Sequence, residues 1–330
     1  MNLKALRNRI FNGKNPKFVY YIRAFAMTHI PRPLLRPAVR SLDRLLEGRA
    51  DRDYILDRVD YYCKAAAYPA VAPKAWLESS VEVGCQPMTR QKVYYNDAME
   101  YARYFDPKCR WNLISGDVNY TPAVPSIVKS RPIAGDNANA VLLKLNKVRH
   151  FIFTNDPVPW RDKADRAVFR GKVAGKPQRQ EFMQRWAGSS RVDAGAIDRE
   201  RPEWFKPKLT IPEHRPFRYI VSIEGNDVAS NLKWVMSSNS IAVMPRPKFE
   251  TWFMEGRLKP GYHYIEVRPD FADLEERLDY YSAHPEEAEA IIRHAHEFVD
   301  QFRDSRRERL ISLLVLRKYF KGVAGIAPEQ

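Results

Sequence analysis

Two short loops in the second half of the chain combine glycine with cationic and polar residues in a way that suits a phosphate group. The first loop, FRGK, follows an apolar run and leads into a predicted helix. Its candidate anion-binding residues are Arg170, Gly171, Lys172, Lys176 and Arg179. Backbone N–H groups at a helix start attract anions, and Lys or Arg side chains add charge-assisted hydrogen bonds. We therefore expect this loop to hold a phosphate or diphosphate.

The second loop, EGND, follows the apolar run YIVSI and opens another predicted helix. It offers backbone N–H groups and polar side chains from Gly225, Asn226, Asp227, Ser230, Asn231 and Lys233. Neither loop has the spacing GxGxxG or GxxxxGK[ST], which excludes the ordinary dinucleotide-binding and P-loop sites. Since a turn glycine flanked by polar residues is common, each loop alone is also compatible with a purely structural turn.

Candidate metal ligands are poorly placed. Asp51-Arg52-Asp53 has the DxD pattern of some metal-binding carboxylate pairs, but it stands at a predicted helix start, where Asp is favoured as a cap. His294 and His296 are two residues apart on a predicted helix and so point in different directions. His263 lies in a predicted strand, where a core role is more usual. We predict no metal site.

Strands that alternate with helices would position both loops. The predicted strands are 167–169, 219–223, 241–244 and 262–267, and the predicted helices are 178–186, 229–237, 249–255, 273–281 and 285–303. This alternation predicts βαβ units on a parallel sheet, which binds its ligand at the carboxyl ends of the strands. Both loops follow such ends.

The first half of the chain has a mixed pattern. It predicts helices at 51–67 and 141–148 and strands at 111–115 and 150–153. The polar, proline-containing segment 155–166 is our predicted domain boundary. We therefore expect an N-terminal domain over 1–155 and a C-terminal domain over 156–305. In the remaining segment, 306–330, a basic amphipathic helix could return to the first domain, with core packing as its expected role.

Composition indicates a folded, basic protein. The chain has 330 residues, a net charge of +15 and 45% hydrophobic residues, which excludes intrinsic disorder and favours two domains. It lacks the roughly 20 uninterrupted apolar residues of a spanning helix. A charged start without a secretory apolar core predicts a cytoplasmic location. Because Cys63, Cys85 and Cys109 have no CxxC spacing, we expect buried or free thiols.

Much of the positive charge lies in residues 1–50, which carry eleven Lys and Arg, two acids and a net charge of +9. Aromatic and aliphatic residues are interleaved with these cations. That combination suits an anionic membrane surface, and a phosphate-rich polymer would attract the same patch. Alternatively, the segment is a solvated helical face whose aromatic side packs on the core.

In the order of these segments and in their amino-acid sequences, residues 111–300 resemble glycosyltransferase family 90. Its members include lipopolysaccharide core glycosyltransferases and protein O-glucosyltransferases. The strongest part starts at YIVSIEGNDVASNLKW and ends at FADLEERL, and FRGK is the second marker. The resemblance implies an α/β, GT-B-like protein, with two Rossmann-like domains facing a cleft. It also implies a UDP-sugar donor on the C-terminal domain, no required metal and no further cofactor.

The resemblance also implies roles for individual donor-site residues. Gly171 and Lys172 fall where the family's loop approaches the diphosphate. Arg179 is similar to the arginine that reaches it, with one extra residue intervening. Asn231 stands where many relatives carry an arginine, so that contact is expected to be missing or taken over by Lys233.

For the catalytic base, the segment SGDVNYTPAVPSIVKS is similar to the family's segment with the catalytic aspartate, which places this role on Asp117. A carboxylate there would take a proton from an acceptor hydroxyl that attacks the anomeric carbon. One carboxylate and one displacement imply inversion. Alternatively, Asp117 caps a turn after Gly116.

Together these inferences predict a cytoplasmic, membrane-peripheral, inverting glycosyltransferase. It would use a UDP-sugar and a hydroxyl of a lipopolysaccharide core or related surface glycan, with an anionic membrane surface and no nucleic acid among its partners. The alternative is a non-catalytic protein that binds an anionic membrane or polyanion by charge alone.

Overall fold

The computed structural model describes residues 13–65 and 74–324. Its contacts divide the chain into two compact units, each built from three segments. The unit that we call the sheet unit comprises Met1–Asn15, Val148–Pro247 and Glu255–Gln301. The unit that we call the helical unit comprises Pro16–Lys147, Lys248–Met254 and Phe302–Gln330.

In chain order, the strands of the described residues are β1 (Val81–Glu82), β2 (Arg110–Trp111), β3 (Ser126–Val128), β4 (Ser130–Pro132), β5 (Ala140–Leu142), β6 (Ala164–Gly171), β7 (Val192–Ala196), β8 (Phe217–Val221), β9 (Ile241–Met244), β10 (Phe249–Thr251) and β11 (Ile265–Glu266). The helices are α1 (Lys17–His29), α2 (Arg32–Arg40), α3 (Leu42–Glu47), α4 (Arg52–Tyr62), α5 (Lys74–Ser79), α6 (Lys92–Ala102), α7 (Lys147–His150), α8 (Pro177–Trp186), α9 (Ile211–His214), α10 (Leu232–Met236), α11 (Leu274–Ala283), α12 (Pro285–Asp300) and α13 (Ser305–Ala324). Short 3₁₀ turns span Val83–Cys85, Trp160–Asp162, Pro202–Trp204 and Glu255–Arg257.

The sheet unit contains a five-stranded, wholly parallel sheet in the order β11-β9-β8-β6-β7. Its strands are apolar and mostly buried, as expected for a parallel sheet that is covered on both faces. Helix α8 packs against β7, α11 against β6 and α12 against β9. Phe169, Phe182 and Phe271 form an edge-to-face chain in the core. The prediction of an α/β protein with a parallel sheet is confirmed.

The helical unit has three short strand pairs in its described residues: β1 with β2 and β4 with β10, both antiparallel, and β3 with β5, which is parallel. The long helix α13 packs against α3, α4 and α6 and buries an apolar face that includes Leu310, Leu314 and Tyr319. The core-packing role predicted for the 306–320 helix is therefore confirmed.

Three predicted elements are wrong. Residues 141–148 do not form one helix, because Ala140–Leu142 pairs with Ser126–Val128 as a buried strand. Residues 249–255 begin with β10 rather than a helix, since Phe249–Thr251 pairs with Ser130–Pro132. Residues 150–153 form no strand. Short apolar runs fit either a strand or a buried helix, and only a pairing partner decides between them.

In the N-terminal segment, residues 1–12 of the basic region lie outside the described residues. Helix α1 has no buried residue, and the side chains of Phe18, Val19, Tyr21, Ile22 and Phe25 are exposed. The alternative in which this aromatic side packs on the core is therefore wrong for α1. Within the described ranges, no helix is both long and apolar enough to cross a bilayer.

Candidate functional site

The side chain of Arg179, on α8, contacts both predicted anion-binding loops. Its Nε donates a hydrogen bond to the carbonyl oxygen of Glu224 at 3.0 Å, and its Nη2 donates to that of Ile223 at 2.8 Å. Its Nη1 donates to the carbonyl oxygen of Lys172 at 2.9 Å. One guanidinium thus bridges the loop after β6 and the loop after β8, which leave neighbouring strands at the carboxyl edge of the sheet.

Glycine is needed on both sides of this guanidinium. A Cβ on Gly225 would lie 3.1 Å from Nη2 of Arg179. A Cβ on Gly171 would lie 3.3 Å from Nη1 and 2.8 Å from Cζ of Phe169. Both distances to the guanidinium are tighter than ordinary carbon contacts, so the two glycines let Arg179 lie between the loops. The glycines of the FRGK and IEGND motifs therefore have the same role, which is to leave room for the guanidinium of Arg179.

The Arg179 charge lacks a close counter-charge. Burial, with a further contribution from the nearby cation Arg149, lowers the pKa of Arg179 to about 10. Within the described residues no carboxylate is within ion-pair distance of it, and its three hydrogen bonds go to neutral carbonyls. The negative charge of Asp198 acts on Arg179 in the opposite direction and raises its pKa. Oδ2 of Asp198 accepts a hydrogen bond from the backbone N–H of Val173 at 2.6 Å. A partly buried cation in this situation favours an anionic ligand.

The other residues predicted in the first loop divide into two groups. Lys172 is exposed, and Lys176 donates a hydrogen bond to Oδ1 of Asn226 in the second loop. Arg170 instead donates to the carboxylate of Asp193 on β7 at 2.8 Å and also to the Asp193 carbonyl. These bonds hold the Arg170 guanidinium at β7 rather than at the carbonyls that Arg179 contacts.

In the second loop, Lys233 departs from its predicted role. Its side chain is fully buried, and its Nζ lies 2.5 Å from Oε1 of the equally buried Glu255. The expectation that Lys233 takes over a diphosphate contact is therefore not met. Asn231 donates to the carbonyl oxygen of Val221 at 3.2 Å, within the fold.

The remaining residues of the second loop form a tight turn before a short helix. The Gly225 N–H donates to the carbonyl oxygen of Asp227 at 2.9 Å. Asp227 is buried, whereas Ser230 is half-buried. Helix α10 spans only Leu232–Met236, shorter than the predicted 229–237. The predicted helix therefore starts three residues later, and the loop itself is longer.

The predicted base, Asp117, lies in the helical unit on a loop held by the β3–β4 segment. Its Oδ1 accepts a hydrogen bond from Nζ of Lys129 at 2.5 Å. Oγ of Ser130 accepts from the Val118 N–H at 3.2 Å and donates to the Val118 carbonyl at 2.9 Å. The Asp117 side chain is 25% exposed and that of Lys129 only 2%, so a buried cation orients a carboxylate that solvent still reaches.

Asp51, weighed in the sequence as a metal ligand and set aside, forms ion pairs with arginines. Asp51 accepts from Nε of Arg49 at 2.6 Å and from Nη1 of Arg307 at 3.0 Å, and these bonds hold the pKa of its carboxyl well below the usual range. Asp51 is the N-cap residue of α4, as predicted, but its side chain makes no capping hydrogen bond. No group of three or more His, Cys, Asp or Glu that could hold a metal ion occurs in the described part of the chain.

Sequence reasoning missed several residues of this site. Lys129 could have been found from the sequence, because it is the lysine of the SGDVNYTPAVPSIVKS segment that also contains Asp117. No sequence pattern indicated Glu255, Arg149 or Asp198. They lie about 20 to 30 residues along the chain from the groups they affect, and only folding brings them close.

Comparison with known proteins identifies the family. The family described as Glycosyl transferase family 90 matches residues 138–314, more than half of the chain. The chain belongs to glycosyl transferase family 90. The matched region contains both loops and Arg179, whereas Asp117 lies outside it. As a member of this family the protein is a glycosyltransferase, and the alternative of a non-catalytic binder is not supported.

Individual relatives agree with this assignment. The chain is similar to O-glucosyltransferase LpsA of Dichelobacter nodosus, with 39% identity over 308 residues that cover 92% of this chain and 95% of that protein. It is also similar to protein O-glucosyltransferase 3 of Homo sapiens, with 24% identity over 248 residues, 69% of this chain and 48% of that protein. A third relative is uncharacterized protein 035R of Invertebrate iridescent virus 3, 27% identical over 165 residues, 42% of this chain and 15% of that protein.

Proposed function

We propose that this family 90 enzyme transfers glucose from UDP-glucose to a hydroxyl group of a lipopolysaccharide core, with inversion at the anomeric carbon. The observation that carries this proposal is the similarity to an O-glucosyltransferase over nearly the full length of both chains. The geometry of the sheet unit supports a nucleotide-sugar donor, because Arg179 concentrates positive charge at the carboxyl edge of a parallel sheet.

In this proposal the diphosphate of the donor binds at the Arg179 guanidinium, where it contacts the loops after β6 and β8. A guanidinium has five N–H donors, and three of those of Arg179 point to loop carbonyls, so two are left for phosphate oxygens. The exposed Lys172 and the backbone N–H groups of the second loop add further donors. Such bonds stabilise the diphosphate as negative charge develops on it during departure. No metal ion is part of the proposal.

Asp117 is the proposed base. It removes the proton of the acceptor hydroxyl while that oxygen forms a bond to the anomeric carbon, and the bond from this carbon to the diphosphate breaks with its electron pair. Lys129 is a positioning residue, since its ammonium fixes the Asp117 carboxylate at 2.5 Å. We further propose a GT-B enzyme in which the helical unit serves the acceptor and the sheet unit the donor.

The proposed base can be tested with Asp117→Asn. This variant should bind UDP like the wild type and lose transfer by at least about a hundredfold, the low end of what a positioned base contributes. Asp53→Asn is the matched control, because Asp53 is a carboxylate in the same unit with a side chain that is 96% exposed. Wild-type turnover by a folded Asp117→Asn protein would remove Asp117 from the mechanism.

The acceptor proposed here is anchored in a bilayer, so the enzyme must work close to a membrane. We propose that it is a cytoplasmic, peripheral protein at the inner face of the cytoplasmic membrane. The excess of cations in residues 1–50 supports this location, because each Lys or Arg near anionic headgroups contributes about 1 kcal/mol.

A further inference from the structure

The apolar face of helix α1 points to solvent. Phe18, Ile22 and Phe25 follow one another at spacings of four and three, so they lie on one face of the helix. This face points to solvent, with 77%, 54% and 65% of these residues exposed. A surface helix of a water-soluble domain normally buries its apolar face and exposes its polar one. Within the described residues this face of α1 therefore stays largely open to solvent, although Phe25 contacts the ring of His29 on the same helix.

Polar contacts hold α1 in this orientation against α6. Tyr20 donates a hydrogen bond through its hydroxyl to Oδ1 of Asp97 at 2.9 Å. Arg103 donates to the carbonyl oxygens of Met27 at 2.7 Å and of Ile30 at 2.6 Å. Because Asp97 is buried and the carbonyls lie near the end of the helix, a rotation of α1 that buried its aromatic face would break these bonds. The outward orientation is built into the helical unit.

Exposed cations lie on α1 and on the two helices that follow it in the chain. Lys17 and Arg23 lie on α1 itself, and Arg40 and Arg44 are exposed on α2 and α3. The side chain of Leu34, on α2, is 72% exposed. Aromatic and aliphatic side chains beside exposed cations are typical of a helix that lies in the interface of an anionic bilayer. A face for another protein would not need such an excess of one charge.

We propose that the apolar face of α1 inserts into the acyl boundary of an anionic lipid leaflet, with the cations of α1 to α3 at the headgroups. The proposal deepens the peripheral location and rests on the proposed function only for its biological meaning, since lipid binding is measured without sugar or acceptor. Insertion of one helix face would hold the helical unit at the surface that carries the acceptor.

The test is sedimentation of the full chain with vesicles of phosphatidylcholine, with and without phosphatidylglycerol. Replacing Phe18, Ile22 and Phe25 together by serine should lower vesicle partitioning at least about a hundredfold, since one buried apolar side chain contributes about tenfold. Leu77, Met88 and Tyr280, exposed on other parts of the surface, provide the matched triple serine control, which should bind vesicles like the wild type. UDP-glucose hydrolysis should be the same in all three proteins.

Three results would overturn the proposal. They are no binding of the wild type to anionic vesicles, equal loss in the α1 and control triples, and wild-type vesicle binding by the α1 triple. In the third case, a wild-type dimer that becomes a monomer in the α1 triple would assign the face to a second copy of the chain. A wild-type protein that binds anionic vesicles but does not transfer glucose would contradict the proposed function and not the membrane-binding proposal.

A direct probe of insertion does not depend on tolerance of the triple substitution. Cys63 and Cys109 are buried and Cys85 is exposed, so Phe25→Cys in a Cys85→Ser background offers one accessible thiol among the described residues. An environment-sensitive fluorophore attached there should shift to the blue on addition of anionic vesicles. Because the insertion is apolar, part of the shift should survive added salt that screens the cations. An unchanged emission spectrum would contradict insertion.

Discussion

Replacing Arg179 by lysine keeps a cation at the donor loops but removes the planar fork that holds them together. The guanidinium donates to three carbonyls on two loops, at 2.8 to 3.0 Å. A lysine ammonium is a compact point charge and cannot reproduce that arrangement, so at least one buried carbonyl should lose its partner. Each lost bond to a charged group is worth about 1.5 to 3 kcal/mol, and we expect a stability loss in this range.

The same substitution should weaken UDP binding. If the two remaining N–H groups of Arg179 reach the diphosphate, their loss corresponds to about ten- to a hundredfold lower affinity. Uridine lacks the phosphates, so its affinity should barely change. Calorimetry with UDP and uridine separates the two effects, and urea unfolding measures stability on the same proteins. Arg185→Lys, on the exposed side of the same helix, is the matched control and should behave like the wild type.

The outcome can refute the role of Arg179 in two ways. Equal losses of UDP and uridine affinity would mean that Arg179 only shapes the loops and does not hold the diphosphate. Unchanged UDP affinity together with reduced stability would place the donor phosphates elsewhere. Only a loss specific to UDP supports contact between the guanidinium and the diphosphate.

Three further predictions follow from the sheet unit. Gly225→Ala should reduce UDP affinity about tenfold, measured by calorimetry, because the new Cβ would lie 3.1 Å from Nη2 of Arg179 and displace it; unchanged affinity would show that the guanidinium can move freely. Lys233→Met should lower the free energy of unfolding by about 3 to 5 kcal/mol, because it removes the buried cation that faces the carboxylate of Glu255, and adding Glu255→Leu should recover part of that loss in urea unfolding. Burial, with the charges of His294 and Lys259, lowers the pKa of His263 to about 4, so its contribution to stability is complete above its ordinary pKa of about 6.5 and is lost as pH falls towards 4. Between about pH 7.5 and about pH 5 this loss should be about 2 kcal/mol in the wild type and absent in His263→Gln, and identical pH profiles would refute it.

The sequence by itself determined the class of the sheet unit and the position of its loops. Apolar runs such as 219–223 and 241–244, which alternate with longer helical patterns, indicate buried strands with helices packed on them. In a parallel sheet the loops after such strands share one edge, so FRGK and IEGND were placed together without coordinates. The amino-acid sequences of those loops were specific enough to indicate the family, which the comparisons then confirmed.

Only the tertiary structure decided what the charged side chains do. Arg179 and Lys233 look alike in sequence, each being a cation on a helix after a polar loop. The fold places Arg179 between two glycines with neutral carbonyl partners, and it pairs Lys233 with Glu255 in the interior. A counter-charge 22 residues away, as in Lys233 and Glu255, leaves no local pattern in the chain.

The same limit applies to the short strands and to α1. Phe249–Thr251 became a strand because Ser130–Pro132 lies beside it, and no periodicity within three residues could indicate that partner. For α1, the spacing of Phe18, Ile22 and Phe25 puts them on one helix face, but this spacing does not decide where that face points. That direction depends on which side Tyr20 can bond to Asp97, a contact between residues 77 positions apart, and so it is set by packing rather than by the helix's own sequence.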